Sequence, residues 1–526
     1  LKILVPDGIS KRGGEILRAE GWTVDIWQKP QPPEELAKAI PPYDALIVRS
    51  ASKVTAAVLE AGENLKVVGR AGVGVDNVDL VAATRRGIIV MNSPQGNMVA
   101  TAELTMALML ALARNVPQAH ASMKSGKWDK KTFAGVELMD KRVGVVGLGR
   151  IGREVALRCR SFGMEIVAFD PFVAPGVAEP MNVSLVSLDE LLQTSDYITL
   201  HTTLTEETRH LLRKETLEKV KPGVRIVNAA RGELVEDEAL IAALDDGRVA
   251  GVALDVYASE PPKDWRIVEH PRVIATPHLG ASTAEAQQKV GRDIATQVRD
   301  YLKGGAIRQA VNFFSISGEL YDQVRPAMGL AQSLGSILGQ LSSEAPRSIE
   351  LCLYGELSEI EATPIVAAAA AGLLQPFLQE SVTAVNALAI AKEKKIDVSH
   401  STSTTPVTFS NMMELRTSSA SDQLTVAGTI FGGNHMRVVE FDGVEVEAVP
   451  QGRLLFVRND DTPGVVGSIG TVLGSCDVNI ARMTVGRQSG GGALMLIEVD
   501  QDLSEKVLGE IVKIPGIREA RSISLP

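Results

Sequence analysis

The first hundred residues alternate short apolar runs with amphipathic stretches: LKILVPD, then Gly14–Glu20, ALIVRS, LKVVGRAGVGVD and IIVMNSP. Strand–helix alternation of this kind predicts a mostly parallel α/β sheet. Thr101–Arg114 reads as a long buried helix, with Ala and Leu on every face. After a Lys-rich segment, Lys124–Lys131, the alternation resumes with RVGVVGLGRIG, EIVAFDP, YITLHTT, VRIVNAARG, VAGVALDVY and VIATPHLGAS. A helix from Ala284 to Leu302, ended by Gly304-Gly305, carries the chain back. The pattern predicts two doubly wound, Rossmann-like lobes. Residues 1–98 and 283–312 form one discontinuous lobe, and residues 99–282 are inserted between them as the other.

The character changes near residue 315. Gln323–Leu341 is helical, Ser348–Tyr354 (SIELCLY) alternates as a strand, and Ala367–Ala371 suits tight helix packing. Strand-like runs follow at Leu424–Phe431 and Met436–Phe441, so residues 315–450 are expected to form an intervening α+β domain. Residues 453–526 read as another unit. RLLFV leads to a helix over Val465–Leu473, with Thr462 as its N-cap and Pro463 in the first position. Strands at Ile480–Val485 and Leu494–Val499, a helix from Leu503 and the strand ARSISL complete a βαββαβ order, the ferredoxin-like arrangement.

Composition acts mainly by exclusion. A chain of 526 residues exceeds what one core supports, and 45% apolar with 22% charged residues is ordinary globular usage. Lys plus Arg (54) against Asp plus Glu (64) gives a net charge of −10. Such a chain has no electrostatic footprint for nucleic acid, and an anionic substrate must meet a local group of arginines. The longest apolar runs, Leu104–Ala113 and Ile365–Leu374, are about half a membrane span. Three scattered cysteines without a CxxC fit a reducing compartment and argue against disulfides or a structural metal. The chain opens on Leu1 directly in a strand-like run. That leaves room for a removed leader, so a plastid stroma stands as the alternative to a cytoplasmic location.

The strongest chemical signal is Gly147-Leu148-Gly149-Arg150-Ile151-Gly152, between the apolar run Arg142–Val146 and the amphipathic stretch Arg153–Phe162. In a dinucleotide site the first Gly makes the turn, the second admits the pyrophosphate and the third lets helix and strand pack closely. Phosphate then rests at the helix N-terminus. Asp170, 18 residues beyond Gly152, stands where an acid binds the ribose 2′-hydroxyl. Pro171 and Phe172 follow it with no Arg for a 2′-phosphate, which points to NAD. A dehydrogenase also needs a proton acceptor and a cation for the substrate oxygens. Arg231, Glu260 and His278 all lie at ends of expected strands, but His201, His210 and His270 lie nearby. Spacing alone leaves open which of these converge.

GRAGVGVDNVDL, VGLGRIGRE, VNAARGELVEDEAL, LDVYASEPP and TPHLGASTAEAQ resemble the D-isomer-specific 2-hydroxyacid dehydrogenases over residues 1–312. The resemblance implies that Arg231 binds the substrate carboxylate and C2 oxygen, that His278 is the acid–base, and that Glu260 is its partner. It implies NAD contacts at Arg150, Ile151, Asp170, Thr202, Ala229, Ala230, Arg231, Asp255, His278, Gly280 and Ala281, with Val73 close by. Within the family, the likeness points to 3-phosphoglycerate as substrate. The loops RSAS (Arg49–Ser52, with Ser50) and GRAGVG (Arg70–Gly74, with backbone at Gly72 and Val73) are expected to hold it. Lys130 from a neighbouring subunit is a further candidate for the phosphate.

NDDTPGVVGSIGTVL followed by CDVNIARM resembles the amino-acid-sensing ACT module, which implies feedback by L-serine through Asn459, Asp461 and Asn479. Relatives often carry Arg where Thr462 stands. Pairing of the lobes and of these modules implies a homo-oligomer, a tetramer. His435 and Arg437 are a weaker anion pair. Two competing readings are a glyoxylate or hydroxypyruvate reductase of the same family and a non-enzymatic NAD-sensing protein.

Overall fold

The computed structural model describes residues 1–314, 319–488 and 491–525. Strands β1 (Lys2–Val5), β2 (Thr23–Ile26), β3 (Ala45–Val48), β4 (Val67–Arg70) and β5 (Ile89–Asn92) form a parallel sheet in the order β2-β1-β3-β4-β5. All four residues of the central strand β3 are buried, which is why ALIV shows no alternation. The Ala284–Gly304 helix returns to this sheet from far along the chain and ends at Gly305, whose φ is +76°. Its Ile294 and Val298 lie where a Cβ on Gly69 would meet each at 2.9 Å. Only a bare backbone lets the helix approach β4 so closely.

Strands β6 (Arg142–Val146), β7 (Glu165–Phe169), β8 (Ser184–Leu185), β9 (Tyr197–Leu200), β10 (Val224–Asn228), β11 (Val249–Leu254) and β12 (Val273–Ala275) form a second parallel sheet. Its order, β12-β11-β10-β9-β6-β7-β8, reverses between β6 and β9. In open α/β sheets ligands bind at the carboxyl ends of the strands at such a point. The Met98–Arg114 helix packs on this sheet and begins three residues before the periodic pattern suggests.

Strands β13 (Ser348–Gly355), β14 (Asp397–Ser403), β15 (Asn411–Ser418), β16 (Gln423–Phe431), β17 (His435–Phe441) and β18 (Val444–Ala448) form the third sheet. The sequence reading passed over β14, β15 and β18. Strand β14 is an edge strand with mostly exposed side chains, so DVSHSTS carries no apolar alternation and is a strand through its pairing with β13. The Glu319–Leu341 and Ala362–Leu374 helices cover one face. A Cβ on Gly335 would come within 2.1 Å of the Ala369 carbonyl, and one on Gly372 within 2.1 Å of the Gln332 carbonyl. The Ala-rich stretch thus brings two backbones into contact.

Strands β19 (Gly452–Asn459), β20 (Ile480–Arg487), β21 (Ala493–Val499) and β22 (Ile517–Leu525) form an antiparallel sheet in the order β20-β21-β19-β22. Leu455 and Val457 pack on the unit's own helices, whereas Leu454 and Phe456 join the core of the third sheet. Thr462 does not cap the Val465–Ser475 helix. That helix starts from Gly464 at φ +94° with no side-chain cap, and Thr462 contributes only its carbonyl, 3.4 Å from the Val465 N–H. A left-handed residue at the entry turns the Thr462 side chain out of capping range. No single helix among the described residues is long and apolar enough to cross a membrane.

Candidate active site

The loop leaving β6 is shaped by contacts that only glycine permits. Gly147 has φ +91°, and a Cβ there would come within 2.8 Å of the His201–Thr202 backbone after β9. At Gly152 a Cβ would come within 2.1 Å of the Gly147 carbonyl, so the Arg150–Ser161 helix packs directly on the turn. Gly149 differs: a Cβ there meets nothing within 4 Å, and no side chain caps the helix. Its openness leaves room, and uncapped N–H groups, for a pyrophosphate. Asp170 at the end of β7 accepts the Leu148 N–H and the Phe172 N–H, each at 2.9 Å, and so braces the same loop. Thr202 stands across the crevice after β9.

Three strand ends of the second sheet bring Arg231, Glu260 and His278 into one neighbourhood. His278 Nδ1 lies 2.6 Å from Glu260 Oε2. Burial alone would raise the Glu260 carboxyl, but the His278 hydrogen bond and charge, the Tyr257 N–H and Arg231 together hold it below its ordinary range. His201, the nearest rival, is pushed down to about 3 by burial and pairs with Thr199 Oγ1 at 2.8 Å, so near neutrality it carries no charge. His270 precedes β12, whereas His278 follows it, and faces Asp245 at 3.4 Å.

The His278 loop is held from inside. Asp255, expected at the cofactor, is fully buried, and its carboxylate accepts Thr276 Oγ1 (2.6 Å), the Leu279 N–H (2.7 Å) and the Gly280 N–H (2.9 Å). Its carbonyl accepts the His278 N–H at 2.9 Å. The structure makes Asp255 the brace of the turn carrying His278, Gly280 and Ala281. Buried Asn228 performs the same service for Ala229–Arg231, accepting the Ala230 N–H and donating to the Arg231 carbonyl.

From the first sheet, Arg49 and Arg70 approach Arg231. Burial first, then the charges of Arg231 and Arg49, push the Arg70 guanidinium down to about 10, while Asp76 and Asp7 oppose the shift. Arg70 Nε is buried without a partner. The turn bearing Arg49 and Ser50 is fixed by Asp7, which accepts the Arg49 and Ser52 N–H groups, and by Asn77, which donates to the Arg49 carbonyl. Asn92 Nδ2 donates to the Val73 carbonyl, and the Gly72 carbonyl accepts the Ser93 N–H. A cavity of about 490 Å³ opens at the first lobe, with Ser10, Arg49 and Ala71 on one side and Ser282, Thr283 and Gln287, at the start of the returning helix, on the other.

The sequence reading missed Asp76, although it stands in the quoted GVGVD run. Its Oδ2 lies 2.9 Å from both Nε and Nη2 of Arg231 and ties that side chain across the cleft. Asp7, Asn77, Asn92 and Asn228 were missed as well, because single polar residues at strand ends carry no periodic signal. Lys130 is exposed and shares no hydrogen bond or ion pair with this cluster.

The proposed effector residues are not equivalent. Asn459 is buried, its Oδ1 accepting the Asp461 N–H and its Nδ2 donating to the Ala493 carbonyl, so it shapes the loop from within. Asp461 pairs with Arg487 at 3.1 Å, and exposed Asn479 donates to Asp500 at 2.7 Å. Arg437 is engaged by Glu447 at 3.6 Å, and His435 begins strand β17.

Residues 106–280 match the NAD binding domain of D-isomer specific 2-hydroxyacid dehydrogenases. Residues 323–442 match the D-3-phosphoglycerate dehydrogenase intervening domain, and residues 453–516 the ACT domain. The D-3-phosphoglycerate dehydrogenase of Synechocystis is 42% identical over all of this chain and 95% of its own length. Those of Bacillus subtilis (40%) and Methanocaldococcus jannaschii (42%) are matched over 100% of both chains. Among solved structures, the TT0316 protein of Thermus thermophilus is 34% identical with a TM-score of 0.55, covering 59% of this chain and 100% of its own. The D-lactate dehydrogenase of Aquifex aeolicus, complexed with NAD and lactic acid, is 26% identical with a TM-score of 0.52, over 58% of this chain and 96% of its own.

Proposed function

The chain belongs to the D-3-phosphoglycerate dehydrogenase family, a branch of the D-isomer-specific 2-hydroxyacid dehydrogenases. From that membership we propose that it oxidises 3-phospho-D-glycerate to 3-phosphooxypyruvate with NAD, the first step of L-serine biosynthesis. The observation that carries the choice of a dianionic substrate is Arg70, half-buried beside Arg49 and Arg231, whose buried Nε has no hydrogen-bond partner among the described residues. Asp76 already meets Arg231, but three cations gathered in a cleft still favour further anionic groups there.

Gly147 to Gly152, Asp170 and Thr202 would hold NAD, which supplies the acceptor for the hydrogen and electron pair leaving C2. Arg231 engages the substrate carboxylate and the C2 oxygen, and it stabilises charge on that oxygen as the carbonyl forms. His278 takes the hydroxyl proton, and Glu260, bonded to its Nδ1, keeps the ring oriented. Arg49, Ser50 and Arg70, with backbone at Gly72 and Val73, receive the carboxylate and phosphate ends. Lys130 of a neighbouring copy adds to the phosphate site in a homotetramer. L-Serine acts at Asp461, on the loop that Asn459 shapes, and at Asn479, which stands at the opposite end of the same sheet beside Ile480. The setting is cytoplasmic, and relatives from bacteria and archaea lend a plastid no support.

Initial-rate NADH formation with 3-phosphoglycerate, with and without millimolar L-serine, tests both halves. Turnover suppressed by serine is expected. Turnover indifferent to serine removes the effector reading and keeps the enzyme. Reduction of glyoxylate or hydroxypyruvate with no turnover of 3-phosphoglycerate overturns the substrate assignment.

A further inference from the structure

The chain crosses between the first two sheets twice. It leaves β5 through residues 93–97 into the Met98–Arg114 helix, and it returns from β12 through the His278 loop into the Ala284–Gly304 helix. Thr101, in the first turn of the outgoing helix, is buried, and its Oγ1 donates to the Gly280 carbonyl at 3.0 Å. The two crossings are therefore hydrogen-bonded to each other two residues from His278.

This is not what a helical threonine ordinarily does. Thr84, Thr105, Thr194 and Thr471 each donate to the carbonyl four residues back on their own helix. Thr105 does so onto Thr101 itself, one turn away. The Thr101 hydroxyl turns outward instead. Gly280 accepts it within a narrow space, since a Cβ there would stand 3.3 Å from Thr101 Oγ1 and 3.5 Å from Asp255 Oδ2.

The loop has reason to need a second brace. His278 has φ +55°, a left-handed conformation that is uncommon for a non-glycine residue. Asp255 grips the turn from β11 through the N–H groups of Leu279 and Gly280. Thr101 grips it from the opposite element through a carbonyl. The outgoing crossing also starts at Asn92 and Ser93, which bind the Val73 and Gly72 carbonyls of the expected substrate loop.

We propose that Thr101 is a positioning residue for the reaction: its hydroxyl fixes the His278 loop to the helix that follows β5, where Asn92 and Ser93 bond to the expected substrate loop. His278 is thereby held to the cofactor-side sheet, on which that helix packs. The inference rests on the reading of His278 as the acid–base.

The test compares T101V, which keeps the shape and removes the donor, with T101S, T101C and H278Q in the full chain. For T101V we expect kcat to fall by about tenfold, with a displaced kcat–pH profile and KM for 3-phosphoglycerate within about twofold. T101S should restore both rate and profile, and T101C, with its weak donor, should lie between. Wild-type kcat and profile in T101V beside an inactive H278Q overturn the role of Thr101 alone. Full activity in H278Q overturns the acid–base reading beneath it. Should T101V fail to fold, T101C decides: a wild-type rate and profile there also overturn the proposal.

Discussion

Glu260 keeps its charge to lower pH than a free carboxyl because His278, the Tyr257 N–H and Arg231 outweigh the cost of its burial. A carboxylate with a depressed folded pKa contributes stability that is complete above its unfolded pKa and is lost as pH falls through the folded one. In the oxidation direction His278 must be oriented to accept a proton, and Glu260 holds its ring at 2.6 Å. Glu260→Gln is therefore expected to lower kcat by roughly 10- to 100-fold and to remove this carboxylate's share of the stability that is lost in acid. An unchanged kcat would contradict the pairing. At this scale the sequence revealed which residue types end the strands, and it singled out Arg231, Glu260 and His278. It did not reveal Asp76 or the bracing task of Asp255, since both depend on what lies opposite in space.

At the scale of elements, the turn after β6 separates glycines needed by the protein from one left open. Gly152→Ala drives a Cβ into the Gly147 carbonyl, so a loss of about 1–3 kcal/mol in thermal or denaturant unfolding is expected. Gly149→Ala meets no protein atom, at a φ of −72° that alanine tolerates, so stability should change by less than about 0.5 kcal/mol. Its KM for NAD should nevertheless rise by about tenfold or more, because the methyl occupies the room a pyrophosphate needs. Calorimetry and NAD titration of the two variants separate these effects, and equal stability losses would contradict the distinction. Parallel strands were legible because burial on both faces makes continuous apolar runs. Edge strand β14 and the Thr462 cap were misread because pairing and a left-handed Gly464, both non-periodic features, decided them.

Across the whole molecule, the last two units share one core and one ionic rivet. Arg458, one residue before the proposed effector loop, is bonded to Asp442 on the β17–β18 turn and stacks over Phe441 and Phe456, 5.5 and 5.4 Å from their centroids. Gln340 also hydrogen-bonds both the N–H and carbonyl of Ser524 on edge strand β22, at 2.9 Å each. The intervening unit in turn reaches the first lobe, where buried Asn386 donates to the Arg85 carbonyl at the end of the Leu80–Arg85 helix, at 3.0 Å. A change at the effector loop therefore has a packed route toward the substrate lobe. Arg458→Met retains the stem's packing and removes the ion pair. We expect serine to inhibit this variant with an affinity weakened by about fivefold or more, at a basal rate within about twofold of wild type. An unchanged serine titration would show that the rivet carries no signal.

By itself the sequence determined the α/β lobes, the ferredoxin-like end unit and the dinucleotide turn. Each of these is written in local periodicity or in glycine spacing, which depend on near neighbours along the chain. Only the tertiary structure decided that His278 meets Glu260 rather than another partner, that Arg49 and Arg70 come to Arg231, and that Thr101 clasps Gly280. These contacts join residues far apart in sequence. Their existence depends on strand order and on where the chain crosses between sheets, neither of which any local stretch of sequence encodes.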